Sequence, residues 1–136
     1  EVWAHTSSSG LGLDVEDTAE LALCYRNGMT VSIHLDFIQQ PPEHTMTIIG
    51  TGGTIAFDSA NSSAKIFRAG KHEPENILPP DGFERNHLFL DEMRHFIHVA
   101  GGKELPACTI EDGAAAVKMT LAVHQSARTR QLVRLE

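Results

Sequence analysis

The alternation of apolar and polar side chains over residues 15–40 constrains this fold more than any other feature of the sequence. Two runs alternate with a period of two, which is typical of half-buried β-strands, and Arg-Asn-Gly at residues 26–28 separates them. Pro41 and Pro42 follow the second run, where they cannot donate backbone hydrogen bonds to a sheet. The pattern predicts an antiparallel hairpin with one apolar face.

The turn of this hairpin decides which side chains face each other. A two-residue Asn-Gly loop would place Leu23 opposite Ser32 and would split the apolar face. A three-residue loop with Gly28 in the left-handed conformation keeps the apolar side chains together. We therefore predict this longer loop, with Tyr25 opposite Val31, Leu23 opposite Ile33, Leu21 opposite Leu35 and Ala19 opposite Phe37.

The other face of the hairpin carries small and polar side chains. Such a surface is suited either to plain solvation or to contact with a second copy of the chain. His34 and Asp36 share this face and can pair directly, as a surface or interface pair or as part of a site. We predict self-association through Ala22, Cys24, Ser32 and His34.

The end of the second strand is the part of the chain that we expect nearest to a substrate. Gln39 and Gln40 lie there, immediately before the two prolines. Polar side chains at a strand end can reach a ligand, although many such residues only face solvent. Gln39 and Gln40 are therefore the predicted substrate-lining residues.

The rest of the chain predicts strands followed by helices. Further strands are expected near residues 2–4, 44–49, 54–58 and 64–68, with a loop over 69–83. Helices are expected over residues 84–99 and 109–128, the second opening with a capping box of Thr109 and Asp112. This order is typical of an α+β fold, an open and mostly antiparallel sheet of about six strands with two C-terminal helices on one face.

Charge and cysteine content exclude several classes of partner. Acidic residues outnumber basic ones by 18 to 11 in the 136 residues, and the Lys and Arg residues are not clustered, which argues against nucleic acid and anionic membranes. No apolar run approaches the ~20 residues of a membrane span. Cys24 and Cys108 form neither a disulfide framework nor a metal motif, so we expect a cytoplasmic protein.

Two motifs resemble cofactor sites but lie in the wrong context. Residues 50–55 (Gly-Thr-Gly-Gly-Thr-Ile) resemble a dinucleotide fingerprint, yet they lead into a β-branched strand instead of a helix, so we predict a sheet turn. Asp91, Glu92, His95 and His98 have helical spacing, but a di-iron site needs a second Glu-x-x-His pair on a facing helix. We expect this segment to bind no cofactor and no metal.

Several short segments together resemble a known family. They are residues 15–21 (VEDTAEL), 25–28 (YRNG), 32–34 (SIH), 48–55 (IIGTGGTI), 89–96 (FLDEMRHF) and 109–113 (TIEDG). Their order and spacing are similar to the C-terminal domain of the glucose–fructose oxidoreductase, inositol dehydrogenase and rhizopine-catabolism (Gfo/Idh/MocA) family. The resemblance covers essentially the whole chain.

This resemblance implies an N-terminal Rossmann domain that binds NAD or NADP, and hydride transfer between the nicotinamide and a sugar, cyclitol or related polyol. It also implies oligomer contacts through the open sheet. The family's catalytic lysine lies in an E-K-P motif, which this chain lacks. Its catalytic Asp and His follow a D-x-G-x-H pattern, whereas Asp91 and His95 enclose Met93 at the glycine position and lie on the exposed side of a helix. We assign no catalytic residue.

The residues and the resemblance together give two hypotheses. In the first, residues 1–136 are the C-terminal domain of an NAD(P)-dependent oxidoreductase, inactive alone, which supplies pocket walls and the oligomer interface. Its partners are then a second copy and the Rossmann domain, and the start at Glu1 indicates a piece of a longer protein. In the second, the chain is a stand-alone binding or structural module with the same fold.

Overall fold

The computed structural model describes residues 1–8 and 10–135, and within them it contains seven strands and two helices. The strands are β1 (Val2–Ser7), β2 (Thr18–Cys24), β3 (Thr30–Asp36), β4 (Thr45–Gly50), β5 (Gly53–Asp58), β6 (Ser63–Arg68) and β7 (Glu75–Ile77). The helices are α1 (Asn86–Ala100) and α2 (Ile110–Thr129). All strand pairings are antiparallel and the sheets are open, so the predicted α+β class is confirmed.

The strands are divided between two sheets and two compact units. The first unit comprises residues 1–39 and 106–136 and holds the sheet β1-β2-β3 with α2. The second unit comprises residues 40–105 and holds the sheet β4-β5-β6-β7 with α1. Pro41 and Pro42 lie between β3 and β4, where their missing N–H groups prevent a continuous ladder.

In the first unit, α2 packs against the sheet and covers one of its faces. Val2, Leu23 and Ala122 form the buried cluster. Val2 and Val133 exchange two backbone hydrogen bonds of 2.8 Å, which attaches the C-terminal segment beside β1. The partly buried apolar side chains around this cluster are Val31, Ile33, Met119, Val123 and Val133.

A buried hydroxyl joins α2 to both of its neighbours in this unit. The Ser126 side chain is fully buried, accepts a hydrogen bond from the Ala4 amide at 3.0 Å and donates one to the Gln131 carbonyl at 2.7 Å. At its other end, α2 begins with the predicted capping box. The Asp112 amide donates to the Thr109 hydroxyl at 3.2 Å, and the Thr109 amide donates to the Asp112 carboxylate at 2.9 Å.

The loop of the β2–β3 hairpin follows the prediction, but the pairing of its strands does not. Gly28 has a φ of +84°, and its amide donates to the Tyr25 carbonyl at 3.0 Å. The Tyr25 amide donates to the Met29 carbonyl at 2.9 Å, so three loop residues separate these two. The predicted register is wrong by two positions, and the observed pairs include Leu23 with Val31, Leu21 with Ile33 and Ala19 with Leu35.

A loop of residues 26–28 places Tyr25 opposite Met29, so the predicted pairing of Tyr25 with Val31 does not fit the loop that was predicted with it. Thr30 pairs with Cys24, and the ladder continues to the loop. A shift of two residues preserves the alternation, so the apolar face remains intact. It extends beyond the part covered by α2, since Leu35 and Phe37 stay exposed.

The sequence missed β7, which lies inside the predicted loop at residues 69–83. This strand has only three residues and pairs with β6, and Arg68 forms a 2.9 Å ion pair with Glu75 beside it. Pro74 and Pro79 flank the strand. A strand this short, with prolines on both sides, shows no detectable period of two.

Helix α1 matches the predicted helix at residues 84–99 to within two positions. None of its residues is buried, and the apolar stripe that it carries at helical spacing lies exposed. That stripe consists of Phe89, Met93, Phe96 and Ile97.

Gly53 is required by the turn between β4 and β5, and we expect Gly53→Ala to destabilise the fold by at least about 2 kcal/mol. Its φ is +139°, and an added Cβ would collide with the Phe67 carbonyl oxygen. Gly52→Ala is the matched control, because a Cβ there meets open space. Urea unfolding of both variants gives the measurement, and equal losses of stability would contradict this account.

Candidate functional site

The face of the β1–β3 sheet opposite α2 is the candidate site, and we refer to it as the open face. All four predicted interface residues are exposed on it, as alternate positions of β2 and β3. β1 adds two aromatic side chains, Trp3 and His5, which the sequence analysis did not place there. Val2 and Ala4 are buried, and alternate residues of a strand face opposite sides, so Trp3 and His5 lie on the open face. The open face consists of Trp3, His5, Glu20, Ala22, Cys24, Thr30, Ser32, His34 and Asp36.

His34, on the edge strand β3, pairs with two carboxylates on this face. Its Nδ1 lies 2.5 Å from Glu20 Oε1, and its Nε2 lies 2.8 Å from Asp36 Oδ2. The predicted pairing of His34 with Asp36 is therefore confirmed. Glu20 is the partner that the sequence analysis missed, because it lies directly opposite His34 only in the observed register.

These contacts move the protonation equilibria of the cluster. Hydrogen bonds from the imidazolium to Glu20, and then to Asp36, raise the pKa of His34 above its ordinary value. The pKa of Asp36 is lowered, first by hydrogen bonds from the backbone amides of Gln39 and Ile38 and then by the bond from His34. The protonated imidazole can donate to both carboxylates at once, which is the charged form that this geometry favours.

Asp36 also holds the backbone where β3 ends, at residues 37–40, which we call the corner. One carboxylate oxygen, Oδ1, accepts hydrogen bonds from the Ile38 amide at 2.6 Å and the Gln39 amide at 2.5 Å. The predicted substrate-lining residues Gln39 and Gln40 are exposed at this corner. The imidazole of His34 and the backbone amide of Gln39 therefore bind different oxygens of the same Asp36 carboxylate.

A second aspartate, immediately before β2, contacts the corner through its backbone carbonyl, which accepts from the Phe37 amide. Asp17 is 1% exposed, and its Oδ2 accepts hydrogen bonds from the amides of Gly10 (2.7 Å) and Leu11 (2.9 Å). These bonds, with that of Leu11 the strongest influence, lower the pKa of Asp17 against the opposing effect of desolvation. A Cβ at Gly10 would collide with Ile38, so Gly10 lets the corner side chain approach Asp17 closely.

A cavity of about 560 Å³ opens elsewhere in the first unit, at the loop end of the hairpin. Its apolar floor includes Leu23 and Met119, and Tyr25 and Arg26 also line it. Neither Gln39 nor Gln40 lines this cavity. A pocket of this size and lining is large enough for a small organic group.

The two motifs that resembled cofactor sites have structural explanations. Gly50 pairs with Gly53 across a tight turn between β4 and β5, so the predicted sheet turn is confirmed. On α1, the His95 and His98 side chains both contact the Glu104 carboxylate, at 2.7 Å and 2.8 Å. Within residues 1–8 and 10–135, no group of three or more His, Cys, Asp or Glu side chains is arranged to hold a metal ion.

Neither helix in the described part of the chain combines the length and the apolar character that crossing a membrane requires.

Comparisons with known proteins agree with this architecture. A family model described as the C-terminal alpha/beta domain of an oxidoreductase family, Gfo/Idh/MocA, matches residues 2–135. A comparison with curated proteins gives no match.

Solved structures share the fold. The WlbA dehydrogenase from Bordetella pertussis, in complex with NADH and UDP-GlcNAcA, is 25% identical with a TM-score of 0.74, over 99% of this chain and 40% of that chain. An oxidoreductase domain protein from Kribbella flavida is 18% identical with a TM-score of 0.83, over 96% of this chain and 42% of that chain. An aldose-aldose oxidoreductase from Caulobacter crescentus, complexed with glycerol, is 20% identical with a TM-score of 0.77, over 98% of this chain and 40% of that chain. The chain spans about two fifths of the length of these proteins.

We expect the stabilisation from His34 to depend on pH. Because its pKa is raised above 6.5, its contribution is complete below pH 6.5 and is lost as the pH rises through the raised value. Because the pKa of Asp36 is lowered below 3.8, its contribution is complete above pH 3.8 and is lost as the pH falls through the lowered value. The cluster therefore stabilises the fold most between these two limits.

The measurement is urea unfolding of the wild type and His34→Gln at a series of pH values. The difference in free energy of unfolding should be largest between pH 3.8 and 6.5 and should shrink above that range. His72→Gln, on an exposed loop, is the control. A difference that does not vary with pH would contradict the assignment.

Proposed function

This chain belongs to the Gfo/Idh/MocA oxidoreductase family, as a C-terminal α/β domain, and from that membership we propose that it is the substrate-side and assembly domain of an NAD(P)-dependent oxidoreductase. The substrate is a sugar, cyclitol or related polyol. The match of the family model over residues 2–135 carries this proposal. Residues 1–136 then constitute one domain, which is inactive without the rest of the parent protein.

The cofactor belongs to the missing part of the parent. The Bordetella pertussis dehydrogenase is in complex with NADH and a UDP-linked sugar acid, and this chain matches 40% of its length. A Rossmann domain in the remaining length would bind NAD or NADP at a glycine-rich turn before a helix. The glycine-rich segment of this chain leads into β5 instead, so it is not suited to that role.

The contribution of this domain to the substrate pocket is the corner. Gln39 and Gln40 are exposed there, and a side-chain amide both donates and accepts hydrogen bonds, as recognition of sugar hydroxyls requires. Asp36 holds the Gln39 backbone in place, so that binding a substrate costs little additional ordering.

Self-association through the open face is the second part of the proposal. Small side chains such as Ala22 and Ser32 leave the face flat, and Trp3 remains 44% exposed on the edge strand β1. A flat patch with an aromatic anchor is suited to a two-fold contact in which the same surface meets itself. The free cysteines Cys24 and Cys108 are consistent with the cytoplasmic location that we also propose.

The test of the catalytic proposal is an assay of the full-length parent for nicotinamide reduction with a panel of sugars, nucleotide-linked sugars and cyclitols. We expect turnover of at least one member by the parent and none by residues 1–136 alone. The parent gene should also encode a strand, a glycine-rich turn and a helix before Glu1. A natural gene that begins at Glu1 would favour the stand-alone module instead.

The test of self-association is Ala22→Arg in the parent, measured by sedimentation. An unpaired charge buried at the interface costs about 3 kcal/mol or more, so the dissociation constant should rise at least about a hundredfold. Ala60→Arg adds the same charge at an exposed turn of the second unit and should leave assembly unchanged. If Ala22→Arg sediments like the wild type, the open face is not the interface.

A further inference from the structure

The two oxygens of the Asp36 carboxylate contact two different regions of the molecule. Oδ2 accepts from His34 Nε2 on the open face, at 2.8 Å. Oδ1 accepts from the amides of Ile38 and Gln39 at the corner, at 2.6 Å and 2.5 Å. The Asp36 side chain is only 10% exposed, whereas that of His34 is 50% exposed. A partner that touches the open face can therefore reach His34 directly, and it can affect Asp36 through His34.

This arrangement transmits displacement because a carboxylate is rigid and planar. If His34 moves, the Asp36 carboxylate rotates with it, and Oδ1 moves as well. The hydrogen bonds from the Ile38 and Gln39 amides to Oδ1 then have poorer distances and angles. Each of these bonds involves an ionised group and is stronger than a neutral hydrogen bond. The imidazole position and the backbone of the corner are therefore linked through one side chain.

The far side of the corner is held independently, so the effect of Asp36 falls on the amides of Ile38 and Gln39. The Phe37 amide donates to the Asp17 carbonyl at 3.0 Å. The Ile38 side chain lies against Gly10, whose amide is bound by the buried Asp17 carboxylate. With the Phe37 amide held by Asp17 and the Ile38 side chain held against Gly10, a change at Asp36 acts mainly on the Ile38 amide and on Gln39.

We propose that Asp36 is a positioning residue that couples the open face to the corner, so that the placement of His34 sets the orientation of Gln39. The inference rests on the proposed function, because it assigns the corner to the substrate pocket and the open face to self-association. It adds that assembly and substrate binding are energetically linked within one protomer. A linkage of this kind needs a physical element that both sites influence, and the Asp36 carboxylate is that element.

The experiment compares four variants of the full-length parent by steady-state kinetics and by amide hydrogen exchange. Asp36→Ala removes both contacts of the carboxylate. Asp36→Asn keeps an oxygen for the two amides, and His34→Ala removes only the contact from the open face. Asp58→Ala is the matched control, because Asp58 also ends a strand and accepts from a backbone amide two residues later, that of Ala60.

We expect Asp36→Ala to speed exchange at the Ile38 and Gln39 amides at least about tenfold, and to raise KM for the sugar or polyol by a similar factor. KM for the nicotinamide cofactor should not change. Asp36→Asn should restore both quantities to within about threefold of the wild type, since the amides keep their acceptor. His34→Ala should raise KM for the sugar or polyol by about threefold or more, with faster exchange at Gln39.

The control variant Asp58→Ala should speed exchange at the Ala60 amide and leave KM unchanged for both the sugar or polyol and the nicotinamide cofactor. Unaltered exchange at residues 38 and 39 in Asp36→Ala would overturn the positioning role. Faster exchange with an unaltered KM would overturn the link to the substrate, and an unaltered KM in His34→Ala would overturn the coupling. If the parent reduces no nicotinamide with any substrate, the proposed function fails, and the exchange rates alone then decide whether Asp36 positions the corner.

Discussion

The first unit depends on the hydroxyl of Ser126, which joins its first strand, its last helix and its C-terminal segment. Ala4 and Ser126 are 122 residues apart in sequence, and the Ser126 side chain that joins them is fully buried. Replacing it would leave the buried amide of Ala4 without a partner, which is more costly than the loss of one exposed bond. With α2 held against β1, the apolar side chains of the sheet have one covered face, and the polar side chains face outwards. The open face and the corner both follow from this arrangement.

Much of this fold was predictable because local patterns determine it. The period of two identified β2 and β3, and the glycine at residue 28 identified a three-residue loop. The capping box at Thr109 located the start of α2. The alternation alone does not fix the register, because several pairings keep the apolar side chains on one face. The loop over residues 26–28 does fix it, since it places Tyr25 opposite Met29. The short strand β7 was missed because three residues are too few to show a pattern.

The candidate site was predictable only where its residues are neighbours in sequence. His34 and Asp36 are two residues apart on one strand, so alternation places them on the same face. Glu20 lies on β2 and Asp17 immediately before it, and their contacts depend on the register and on the loop that carries Gly10 and Leu11. Buried or shared carboxylates of this kind have no local signature, because their partners are mostly backbone amides. The sequence therefore indicated where the chemistry lies but not which groups hold it in place.

The alternation of the hairpin has a further consequence for how such chains can diverge. Insertion or deletion of two residues within β2 or β3 would slide part of one strand along the other and leave every side chain on its own side. Loss of a single residue within either strand would exchange the sides for the residues beyond it, exposing the core and burying the charged cluster. Length variation among descendants of this chain should therefore occur in even steps within the ladder. Odd steps would be confined to segments outside the ladder, such as the hairpin loop and the connection between β1 and β2.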